Sequence, residues 1–164
     1  MAQSRIEGDV YITGSLGSKT FSPADGSITN AAVKAAAGVS ATKLEHRFQS
    51  VIAQPNTAAA DETRVVHVVY GATGAIVAFS AGSIAKAVGD AITTVDLKVN
   101  GSSVLSAVIT LDSANANRVA EAGTVSTPAL VAGDVLEVVI DGTIGTGTLP
   151  TGVFAQVTLT EAGN

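Results

Sequence analysis

Residues 92–111, ITTVDLKVNGSSVLSAVITL, restrict the fold of this chain more than any other stretch. Val95, Leu97 and Val99 alternate with Asp96 and Lys98, the period of a strand with one buried and one wet face. Asn100-Gly101 follows. Both residue types tolerate positive φ, so a hairpin is expected there. On the return, Leu105, Ala107, Ile109 and Leu111 again sit at odd positions. A two-residue loop pairs odd positions with even ones and would turn one apolar set outward. A three-residue loop, Val99-Asn100-Gly101 with Gly101 left-handed in a bulge, keeps both sets on one face and is the expected geometry. The stretch therefore predicts a half-buried antiparallel sheet.

The same texture starts at Phe48. Strands are predicted near 48–54, 63–70, 75–80, 92–99, 104–111, 118–125, 134–141 and 153–160, separated by Gly71-Ala72-Thr73-Gly74, Ala132-Gly133-Asp134 and the run Gly142 to Gly152. About eight short strands at this spacing predict an all-β, jelly-roll-like antiparallel β-sandwich over residues 48–164. Residues 81–90, AGSIAKAVGD, read as a helical turn between sheets. No repeat with a period of 20–50 residues is visible.

Residues 1–47 differ. Val10, Ile12 and Leu16 alternate with Tyr11, Thr13 and Ser15, but Gly8, Gly14 and Gly17 weaken a free-standing strand. Ser22-Pro23-Ala24-Asp25-Gly26 is turn chemistry. A short alanine-rich helix is expected from Asn30 to Ala37, stopped by Gly38, and a second helical turn from Ala41 to His46. Helices this short need a partner, because nucleation is costly and few hydrogen bonds follow. The segment thus reads as an extended N-terminal arm on the sandwich. Its strand-like part is suited either to this chain's own sheet or to the sheet edge of another chain.

Only 14% of the residues are charged, against about 25% in ordinary soluble domains. Such a chain is expected to cover much of its outside with copies of itself or with a partner. Residues 1–47 carry a net charge of +1 and the remainder −6. An acidic body without a basic cluster does not predict nucleic-acid binding. There is no cysteine, so no disulfide framework. The first residues, MAQSRIEGDV, contain no apolar core of an export signal, and no run reaches the roughly 18 apolar residues of a membrane span.

Chemistry-bearing residues are sparse. His67 lies within Val65-Val66-His67-Val68-Val69, where it reads as a strand residue on the less buried face; His46 reads as the end of a short helix. Asp90 and Asp134 enter strands from turns, while Asp96 and Glu137 fall on outward phases; with Asp141, these are the carboxylates weighed as an acid pair. The run Gly142-Thr143-Ile144-Gly145-Thr146-Gly147-Thr148 lacks the Gly-Lys-Ser/Thr of a phosphate loop and reads as a flexible connection. No catalytic residue, cofactor or metal is predicted, and calcium has no EF-hand spacing behind it.

GDVYITGSLGSKTF with SITNAAVKAAAGVSATKLEH resembles the N-terminal segments of small virion proteins of tailed bacteriophages. GDAITTVDLKVNGSSVLSAVITL, continuing to TPALVAGDVLEVVIDGTIGTGTLPTGVFAQVTL, is similar to a β-sandwich domain common in such proteins. The resemblance covers most of the chain. It implies a capsid decoration (cement) protein: a non-enzymatic structural protein, made in the host cytoplasm, that binds the capsid exterior and bridges major capsid protein subunits. It implies a homo-oligomer, a trimer ahead of a dimer, with neither nucleic acid nor membrane as partner. The arm supplies the expected partner-binding residues Val10, Tyr11, Ile12, Leu16, Lys19, Phe21, Val33 and Leu44. The alternative is a head-fibre or tail-fibre module recognising a receptor or glycan. Sugar stacking would need exposed aromatics; the chain has two Tyr, four Phe and no Trp, with Phe48, Phe79 and Phe154 on predicted core strands.

Overall fold

The structure, a computed structural model, describes residues 45–162. Ten strands and no helix occur among them: β1 (Glu45–Ala53), β2 (Glu62–Val68), β3 (Thr73–Ala85), β4 (Ile92–Val99), β5 (Ser102–Ser103), β6 (Ile109–Leu111), β7 (Ala120–Gly123), β8 (Ala129–Val131), β9 (Val135–Thr143) and β10 (Thr151–Ala162). The first sheet runs β1-β10-β3-β7, with β8 on the same strand β3. The second runs β2-β9-β4-β5, with β6 also on β4. Every pairing is antiparallel. The two sheets form a β-sandwich.

Two-residue periodicity builds the core. Val153, Ala155, Val157 and Leu159 of β10 point inward, as do Leu136, Val138 and Ile140 of β9 and Val95 and Leu97 of β4; all are essentially inaccessible. Phe79, Ile76, Leu111 and Leu130 complete the same cluster. One apolar face per strand is what an antiparallel sheet with one wet side requires. Thr93 shares the inner phase of β4, fully buried, and its Oγ1 has no partner. A buried, unpaired hydroxyl carries its desolvation cost uncompensated. Thr93→Val is therefore expected to raise stability by about 1 kcal/mol, read as a higher urea midpoint; a loss would mean that the hydroxyl is satisfied.

The hairpin differs from expectation. Asn100 and Gly101 both have positive φ, 51° and 81°, and Val99 pairs with Ser102: a two-residue loop. Its register would set Val108 opposite Thr93, yet Leu111 is found there, three residues further on. The irregular stretch from Val104 to Val108 absorbs the difference, and its Val104 and Leu105 fill the core while Leu105 bridges to Val125. Parity is thus restored after the turn and not within it, so of the predicted 104–111 strand only β6 is strand, while β5 precedes it directly after the turn. The expected helical turn at 81–90 is also corrected. β3 continues to Ala85, because β10 flanks it along its length and β7 covers its other side from Phe79 to Gly82. His46 lies in β1, not at a helix end, on the inner phase with Phe48, Ser50 and Ile52. β1 also takes up Arg47. The expected helix from Asn30 to Ala37 and the other arm elements lie outside the described residues.

Candidate interaction face

The outer phase of the first sheet is made mostly of small, uncharged residues. β10 contributes Phe154, Gln156, Thr158 and Thr160; β3 contributes Ala75, Ala78, Ser80 and Gly82; β1 contributes Arg47, Gln49, Val51 and Ala53. Ala120 and Ala122 of β7, with Ala129 and Val131 of β8, finish it. Among the described side chains on this face, Arg47 is the one charge, and there is no carboxylate. Val51 is 62% exposed and Val131 57%, so apolar surface is open to solvent. Phe154 lies across Gly82, where an added Cβ would come within 2.7 Å of its Cζ. The ring takes the space of the missing side chain.

The second sheet's outer phase is its opposite. Asp96 and Lys98 of β4 lie beside Val139 and Glu137 of β9, and Asp141 follows. Asp96 is covered and its Oδ1 accepts from Ser103 Oγ at 2.7 Å. The charge of the body is therefore sorted between the two faces, a distribution that the two-residue period permits and composition alone does not reveal.

The four edges differ as well. On one side of the sandwich, β5, β6, β7 and β8 are short, two to four residues each. On the other side, β2 has a bulge at Val66 and carries the Glu62–Arg64 ion pair. Bulges and charges protect an edge from pairing. β1 has no bulge: its nine residues run in unbroken register, its charged residues Glu45 and Arg47 stand within the first three positions, and among the described residues it pairs with β10 alone.

Between β1 and β2, the sheets are pinned by a polar contact. The bulge at Val66 turns His67 to the inner phase, opposite Leu136, correcting its expected place on the less buried face. There its Nε2 meets Glu161 Oε1 of β10. Glu161 Oε2 accepts the Gly71 amide at 2.7 Å and the Tyr70 amide at 3.2 Å. Glu161 is 3% exposed. Burial works to raise its pKa, but hydrogen bonds from His67, Gly71 and Tyr70 outweigh it and hold the carboxyl below its ordinary value. Phe48 packs on the His67 ring, centroids 5.3 Å apart, and is 38% exposed. Phe48 and Phe154 therefore lie at the rim and on the outer face, and Phe79 alone of the three is core.

No protein-family model matches this chain, and the search of curated proteins finds no relative.

The predicted partner-binding residues Val10, Tyr11, Ile12, Leu16, Lys19, Phe21, Val33 and Leu44 all lie outside the described residues. Glu161 escaped the sequence reading, although the odd phase from Val153 to Leu159 continues to it. Asp90 and Asp134 act in turns: Asp90 Oδ1 accepts the Thr146 amide at 2.7 Å, and Asp134 accepts from Asn100 Nδ2 and the Val131 amide, each at 2.8 Å. The Thr146 amide is the leading cause of the lowered Asp90 pKa. The glycine-rich run is a fastened loop. Val88 and Thr148 exchange two backbone hydrogen bonds of 3.0 Å, and a Cβ on Gly147 would strike the Val88 carbonyl. Among the described residues no three His, Asp or Glu side chains are grouped to hold a metal ion.

Proposed function

We propose that this chain is a capsid decoration (cement) protein of a tailed bacteriophage, a jelly-roll module that binds the outer surface of an assembled head and bridges major capsid protein subunits. The strand order supports the jelly-roll reading. β1 pairs with β10, β2 with β9, β3 with β7 and β8, and β4 with β5 and β6, the nesting produced when one long hairpin rolls into two sheets. The observation that carries the functional reading is the outer face of the first sheet, where Arg47 is the one charge among the described side chains, set against an acidic opposite face. Bridging needs no reaction, only buried area, and at about 25 cal/mol per Å² a face of mostly small residues supplies it wherever shape allows. The arm residues from Val10 to Leu44 extend that contact, with residues 5–21 adding a strand to a neighbouring sheet edge.

Cosedimentation with expanded, undecorated heads tests this. The full chain is expected to bind saturably and to raise the temperature at which the heads rupture. Ala78→Glu, in the middle of the uncharged face, is expected to weaken binding at least about tenfold by burying a charge, whereas Glu137→Gln on the other face leaves it unchanged. Absence of binding, or equal loss with both variants, would refute the assignment.

A further inference from the structure

Beyond attachment to a shell, we propose that β1 pairs with β1 of a second copy of this chain, antiparallel about a two-fold axis at Gln49, so that the first sheet runs unbroken through a dimer. Among the described residues β1 is the one long edge in unbroken register, its charged residues confined to its first three positions, and such edges template strand addition. Two-fold symmetry selects the second copy as occupant. An antiparallel strand pair about an axis normal to the sheet always joins residues of equal parity, so the inner phase meets the inner phase whatever the even register. Complementarity between two different sequences is not required.

Charge and cover then choose the register. Centred on Gln49, the middle of Glu45–Ala53, Arg47 opposes Val51 of the second copy and Phe48 opposes Ser50. Phe48, 38% exposed in one chain, gains a neighbour on its open side. Centring on Arg47 would set two guanidiniums against each other, which is unfavourable. The net charge of −5 per chain does not oppose the approach. The strand of the second sheet nearest this edge, β2, carries a balanced Glu62–Arg64 pair. The acidic groups Glu137, Asp141 and Asp96 stand on β9 and β4, one and two strands farther away. The dimer extends the outer face of the first sheet across two copies.

Sedimentation velocity on the full-length chain reads the result, for a single chain of 16.2 kDa. The native protein is expected to sediment as a dimer. Gln49 is solvent-exposed, so Gln49→Glu and Gln49→Lys should each melt cooperatively like the native chain while weakening the dimer at least about tenfold, because like charges then meet on the axis. An equimolar mixture of the two variants is expected to restore a heterodimer. A monomeric native chain, as when residues 1–44 of the same chain fill the edge, overturns the proposal. So does a trimer, or a dimer indifferent to both charges. A dimer that ignores phage heads refutes the decoration reading and leaves this one standing.

Discussion

Leu97→Asp is expected to cost more than about 4 kcal/mol, enough to unfold a domain of ordinary stability. Leu97 is fully buried on the inner phase of β4, opposite Val138 of β9. A carboxylate there has no donor within the apolar cluster and must either protonate or open the sheets. Lys98, the next residue, points outward opposite Glu137. Lys98→Asp sets two carboxylates side by side on a wet surface and is expected to cost only about 0.5–1 kcal/mol. Urea denaturation of both variants checks the pair; comparable losses would contradict the inward phase assigned to β4.

Glu161→Ala is the second large effect, expected at about 3 kcal/mol, because it removes at once the acceptor shared by the His67 ring and the Gly71 and Tyr70 amides. It also carries a pH signature. The folded-state pKa of Glu161 is depressed, so its contribution is present above the ordinary carboxylate range and is lost as pH falls through that range and below it. Stability measured by urea from neutral to acid pH is expected to fall on the acid side. Glu161→Gln should lower the neutral plateau and flatten that decline. An unchanged acid slope in Glu161→Gln would assign the pH dependence to other carboxylates.

The sheet-forming stretches were legible from residue order because their signal is local. β4 runs from Ile92 to Val99 as the alternation predicts, and β9 and β10 contain the predicted 134–141 and 153–160 cores to within a residue. The inward phase of Leu97, Val138 and Val157 follows from side-chain period alone. The all-β class rests on the same local evidence, repeated eight times between turn signals. The turn at Asn100-Gly101 was visible too, since positive φ is a property of two residues.

What tertiary structure decided was everything that depends on a neighbour across the sheet. Ser80-Ala81-Gly82-Ser83-Ile84-Ala85 has weak strand propensity, and it is strand because β10 lies beside it from Thr151 to Gln156. The hairpin parity was settled by Val104 to Val108, where burying Val104 and Leu105 in the core and bridging to Val125 outweighed a regular ladder. One bulge at Val66 moved His67 from the wet face to the inner one, and only that placement gives Glu161 a partner 94 residues away. The sorting of charge between the two outer faces has the same origin. Each strand alternates by its own sequence, but which strands share a sheet is fixed by long-range pairing. Local period sets which side of a strand is apolar, and packing energy alone chooses its neighbours.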